Sequence, residues 1–129
     1  MIWIDLVTVL ALVQCIFFGI LVGKARATYK VPAPASTGHE MFDRYNRVHM
    51  NTLELIVVFV PALWMAAKYW QPVWIALIGA VYIVGRMLYL NGYVKDPKKR
   101  GLGFLVSFMP IVILLIATCV GLVRGYAAA

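Results

Sequence analysis

The sequence predicts an all-α fold, an integral membrane four-helix bundle formed as one domain over residues 1–129. Three observations carry that prediction. The chain is 64% hydrophobic with a mean hydropathy of +0.88, well above the roughly half-apolar composition of soluble domains. Its apolar residues gather into long runs close to the roughly 20 residues that a hydrocarbon core demands of a helix. Those runs are too long and continuous for the alternating strands of a barrel, and lipid offers backbone groups no hydrogen-bond partner outside their own helix.

The first run is Ile2 to Val22. Ala25-Arg26-Ala27 has the small residues of a signal-cleavage site. The N-terminus, however, carries Asp5 without Lys or Arg, and the positive charges follow the apolar stretch, so this segment is expected to stay as a helix. Pro32 and Pro34 bar its continuation. Thr37 and Glu40 have the spacing of a capping box, which starts the second helix ahead of its membrane portion, Leu53 to Tyr69, with a kink expected at Pro61. Pro72 opens the third helix, whose apolar run is Val73 to Leu90, and Asp96-Pro97 ends it. The fourth run, Leu102 to Val123, is interrupted by Pro110. Short connections after the second and third helices predict antiparallel neighbours.

Basic residues orient the bundle. Lys24, Arg26, Lys30, Arg44 and Arg47 flank the first connection, and Lys95, Lys98, Lys99 and Arg100 crowd the third; the second has only Lys68 and the C-terminus only Arg124. That bias predicts both termini outside and a cytoplasmic basic face. The net charge of +7 therefore suits membrane lipids with anionic headgroups or an anionic small molecule. A nucleic-acid partner is not expected, because no segment resembles a base-reading module. Cys15 and Cys119 lie in the first and fourth runs without His or Asp at metal-ligand or catalytic spacing, so they read as packing residues and no metal site is expected.

A polar stripe interrupts this apolar pattern. Arg47, Asn51 and Glu54 fall at i, i+4 and i+7, at the head of the uncharged run from Leu55 to Ala67. Arg86, Tyr89 and Tyr93 share a face of the third helix, and Arg100 lies just beyond it. Charge at mid-bilayer costs roughly 2.5–3.5 kcal/mol even on lenient insertion scales, so such residues usually line a cavity, a pathway or a site. The plainer alternatives are an Arg47–Glu54 ion pair that fixes helix packing, interfacial-belt tyrosines, and an Arg100 that belongs to an ordinary positive-inside loop. His49 stands about 100° from its neighbours on the helix and takes no role.

The run Phe42-Asp43-Arg44-Tyr45-Asn46-Arg47-Val48-His49-Met50-Asn51-Thr52-Leu53-Glu54, read with Arg86-Met87-Leu88-Tyr89-Leu90-Asn91-Gly92-Tyr93 and Arg100, closely resembles the MAPEG family, membrane-associated proteins in eicosanoid and glutathione metabolism. The resemblance extends from about Ala25 to Arg100 and rests on the Arg-x-x-x-Asn-x-x-Glu core. It implies a homotrimer with glutathione sites between neighbouring subunits at the cytoplasmic end. By the same resemblance Arg26, Arg47, Asn51, Glu54, Tyr89 and Tyr93 bind glutathione as co-substrate, and Arg100 is the catalytic, thiolate-stabilising residue.

The residue types fit that ligand. Glutathione carries two carboxylates, an ammonium and a thiol, which call for guanidinium forks, an acid, and amide or phenol partners. Lowering a thiol pKa by about two units takes roughly 2.7 kcal/mol of preferential thiolate stabilisation. A lipid-facing groove would deliver an apolar electrophile to that thiolate. Two departures bear on substrate: Ala27 stands where the leukotriene-synthesising branch has a second arginine, and Leu55 where it has a tyrosine. Leukotriene synthesis is therefore not expected. The resemblance favours conjugation of glutathione to hydrophobic electrophiles, with glutathione-dependent reduction of lipid hydroperoxides as an accompanying activity. The alternatives are a non-enzymatic lipid-binding scaffold of the same family and a small multidrug exporter. The exporter needs a deep acidic residue in the first helix, where only Asp5 stands. A compact chain without a retention motif suits a bacterial inner membrane.

Overall fold

A computed structural model describes residues 1–129. It contains four helices, α1 (Ile2–Thr28), α2 (Glu40–Tyr69), α3 (Pro72–Lys95) and α4 (Arg100–Ala128), with a single 3-10 turn at Pro97–Lys99 before the last. All four helices are long and apolar enough to cross a membrane. Each extends beyond its apolar run, because polar residues at a membrane surface continue a helix where lipid no longer requires apolar side chains. Both α2 and α4 run unbroken through their internal prolines, Pro61 and Pro110.

The start of α2 differs from the expected capping box. His39 is the cap, and its Nδ1 accepts a hydrogen bond from the Met41 N–H at 3.1 Å. Glu40 is the first helical residue, so it lies two positions short of the place from which a capping-box acid reaches back. Glu40 instead pairs with Arg44 one turn on. The first connection is fastened by Arg26, whose Nη1 donates to the carbonyls of Ala35 at 2.8 Å and Val31 at 3.3 Å while its guanidinium lies 4.7 Å from the Phe42 ring centroid.

Ile4, Ala11, Phe59, Leu63, Tyr82 and Leu114 form the fully buried interior. The Phe59 and Tyr82 rings stack at 3.8 Å. Polar clasps join the helices at different depths: Trp64 Nε1 donates to Thr8 Oγ1 at 2.9 Å, Gln14 Nε2 to the Ile83 carbonyl at 2.9 Å, and Trp70 Nε1 to the Ala117 carbonyl at 2.8 Å. Outward-facing positions are apolar, including Ile16, Ile20, Val57, Leu102 and Val123, as a lipid-facing surface requires.

The most intimate pairing is α3 with α4. Two glycines make it possible: a Cβ at Gly85 would collide with the Ser107 backbone, and one at Gly103 with the Tyr89 backbone. Small residues let membrane helices approach closely where no hydrophobic effect drives them together. This crossing brings Ser107 and Tyr89 to the same level of the bundle, beside Arg86. Cys15 is buried, Cys119 is exposed, and both are free thiols.

Candidate functional site

The head of α2 and the tail of α3 are bound together by Arg44. Its Nη1 donates to the Val94 carbonyl at 2.8 Å and the Lys95 carbonyl at 3.3 Å, satisfying terminal carbonyls that α3 cannot pair internally. Beside this junction lies a cleft of about 460 Å³, whose lining includes His39, Asp43, Arg44, Arg47, Tyr93 and Pro97. Arg47 and Tyr93, from different helices, thus open onto one space at the basic end of the bundle.

Arg47 is exposed and makes no hydrogen bond or ion pair within the chain, and the same is true of Glu54. Arg44–Glu40 is the chain's one ion pair. An Arg47–Glu54 pair that fixes the packing of this bundle is therefore absent.

Deeper along the same helices, Asn51 and Tyr89 meet around Arg86. The Arg86 side chain is fully buried. Its Nη1 donates to Asn51 Oδ1 at 2.7 Å and to Thr52 Oγ1 at 3.2 Å, and its Nη2 donates to Ser107 Oγ at 2.7 Å. The guanidinium carbon lies 4.4 Å from the Tyr89 ring centroid, a favourable placement of cation against ring face. Tyr89 is buried and its ring stands 5.5 Å from that of Tyr93. Asn51, Tyr89, Tyr93 and Arg47 therefore form a continuous set, from the interior of the bundle to the cleft.

The remaining predicted residues lie apart from that opening. Arg26 borders a separate cleft of about 500 Å³ with Lys30, Val31 and Pro32, and its Nη1 is taken up by the loop carbonyls. Arg100 is the first residue of α4, exposed, with Nη1 donating to the Pro97 carbonyl at 2.9 Å. It touches the Arg47–Tyr93 cleft only through Pro97. Glu54 does not line that cleft. His49 turns toward α1, where a Cβ at Gly19 would lie 3.2 Å from its Nε2.

Arg86 is the residue that reading the sequence left without a role. The signal was present: it is the only charged side chain between Pro72 and Lys95. Its partners could not be named from spacing, because they come from two other helices. Chemically the assembled set offers guanidinium donors, two phenols and a side-chain amide, partners for carboxylate and peptide groups rather than for an apolar molecule, while the unpaired Glu54 carboxylate stands outside it.

Comparison with known proteins gives a consistent result. The model of the MAPEG family matches residues 4–120. An uncharacterised protein of Synechocystis sp. is 42% identical over 116 residues, covering 90% of this chain and 85% of its own length. Human microsomal glutathione S-transferase 2 is 38% identical over 120 residues, covering 93% of this chain and 82% of its own. Leukotriene C4 synthase of Cavia porcellus is 30% identical over 120 residues, with coverage of 93% and 80%.

Proposed function

The chain belongs to the MAPEG family and is an integral, multi-pass membrane protein, and from that premise we propose that it is a glutathione transferase, joining glutathione to hydrophobic electrophiles that reach it through the bilayer. The observation that carries this reading is the meeting of Arg47 and Tyr93 at one opening at the basic end of the bundle, with Asn51 and Tyr89 behind it around Arg86. The relatives whose names include glutathione S-transferase add weight to it.

In this reading Arg47 receives a glutathione carboxylate through charge-assisted hydrogen bonds, Glu54 receives the ammonium, and Asn51, Tyr89 and Tyr93 receive the peptide groups. Two chemical considerations extend the site beyond one chain. Arg47 and Glu54 have charges unmet within the subunit, and Arg26 and Arg100 stand outside the cleft. A homotrimer answers both, with Arg26 and Arg100 of one subunit completing a site begun by another. The basic loops then face the cytoplasm and both termini lie outside, in a bacterial inner membrane.

Arg100 is assigned the thiolate. A fixed guanidinium in a partly dry groove favours the charged form of sulfur, and a shift of about two pKa units raises the ionised fraction near neutral pH about a hundredfold until it saturates. The thiolate then attacks the electrophilic carbon. A carbon–sulfur bond forms, and either the leaving group departs with its electron pair or the adduct takes a proton from water. No covalent bond to the protein is involved.

Purified protein in detergent, mixed with glutathione and followed by ultraviolet absorbance of the thiolate, tests the assignment. Wild type is expected to form bound thiolate near pH 7, and Arg100→Ala to lose that signal while still binding the tripeptide. Equal thiolate signals from both proteins would remove Arg100 from its role.

A further inference from the structure

Arg86 touches two residues of the proposed site without opening onto the cleft itself. Its guanidinium is fully buried and meets no carboxylate; its acceptors are the neutral oxygens of Asn51, Thr52 and Ser107. Both hydroxyls are already committed as donors to their own helices, Thr52 Oγ1 to the Val48 carbonyl at 2.8 Å and Ser107 Oγ to the Gly103 carbonyl at 2.8 Å. Their lone pairs are thereby turned toward Arg86. Since arginine is donor-only, every contact in the cluster has one permitted polarity.

That polarity passes to Asn51. A free side-chain amide can present either its oxygen or its nitrogen, and the two orientations are nearly equal in shape. Here a flip would set Asn51 Nδ2 against an Arg86 N–H, donor against donor, at the 2.7 Å now held by Oδ1. The guanidinium cannot move to avoid the clash. It is held on its other side by Ser107 of α4 and over the Tyr89 ring, and α4 is locked against α3 at Gly85 and Gly103.

We propose that Arg86 is a positioning residue that fixes the Asn51 amide so that the site presents an N–H2 donor, selecting a ligand with a carbonyl or carboxylate oxygen at that point. The inference rests on the glutathione reading above and assigns the ligand group that Asn51 meets: an acceptor oxygen, not an amide N–H or the ammonium. Asn51 Nδ2 makes no hydrogen bond within the chain and is not sealed from the surface.

A double-mutant cycle on the full-length protein in detergent tests this, with glutathione binding followed by calorimetry and turnover followed with 1-chloro-2,4-dinitrobenzene. Arg86→Gln and Asn51→Ala are each expected to raise the glutathione Kd about tenfold, the cost of one hydrogen bond to a charged or strongly polar group. The pair together should cost no more than either alone, because Arg86 acts through Asn51. For Arg86→Gln, kcat at saturating glutathione should stay within about threefold of wild type. Should Arg86→Gln fail to fold, Ser107→Ala takes its place. It keeps the guanidinium but cuts its α4 anchor, and should raise Kd about threefold in the wild-type background and leave it unchanged in the Asn51→Ala background. Additive losses, about a hundredfold for Arg86→Gln with Asn51→Ala, would mean that Arg86 merely holds the helices together and would overturn the proposal alone. A wild-type protein that binds no glutathione would overturn the parent reading and this one with it.

Discussion

Arg86 and Arg47 are both arginines on membrane-spanning helices, and the chain treats them in opposite ways. Arg86 is fully buried, with both Nη atoms bonded to oxygens from α2 and α4 and its face on Tyr89. Arg47 is exposed at the rim of a cleft with no partner in the chain. Removing a charge from water is tolerated only where its hydrogen bonds are met. A guanidinium whose two terminal nitrogens are bonded within the fold therefore serves the fold, even with Nε left without a partner as in Arg86, and one whose bonds are all open is available to a ligand or a second subunit. Arg26 stands between the two, its Nη1 taken up by loop carbonyls and its other nitrogens making no hydrogen bond within the chain, and Glu54 is free.

The comparison breaks most severely at the crossing that builds the Arg86 pocket. Gly103→Leu pushes a side chain into the Tyr89 backbone and should destabilise the bundle by about 3 kcal/mol or more, read by chemical unfolding in detergent. A variant as stable as wild type would show that α3 and α4 do not depend on this contact. On the open side the expectation reverses. Arg47→Ala should leave unfolding unchanged yet weaken glutathione about thirtyfold, the loss of a charge-assisted pair. If stability falls while affinity holds, Arg47 belongs with Arg86 as scaffold. The smallest effect is expected from Glu54→Gln, which keeps shape and hydrogen-bonding capacity and should weaken glutathione about fivefold to tenfold without changing the oligomeric state seen by light scattering. Dissociation of the assembly with affinity intact would give Glu54 a packing role.

Much of the bundle was legible in the chain. Four helices follow from apolar runs of bilayer length, and the start of α3 at Pro72 and its stop at Asp96-Pro97 follow from proline chemistry. The helix start near Glu40 was legible, but its cap was not. Thr37 and Glu40 have the right spacing in the wrong register, and His39 holds the position through its own ring nitrogen. The stripe of Arg47, Asn51 and Glu54 could be read from spacing, as could the shared face of Arg86, Tyr89 and Tyr93. What spacing did not give was the bond from Arg86 to Asn51, residues 35 positions apart, or the different fates of Arg26 and Arg47 in the same basic group.

Sequence by itself determined the number of membrane helices, the basic end of the bundle and the family, because hydropathy, charge bias and motif spacing are properties that run along a single chain. Which polar groups are spent inside the fold and which stay open was decided only by tertiary structure. A hydrogen bond is satisfied by a partner at a given distance and angle, and the close approach of α3 and α4 over Gly85 and Gly103 brings Ser107 to Arg86 while Arg47 faces outward with its donors free.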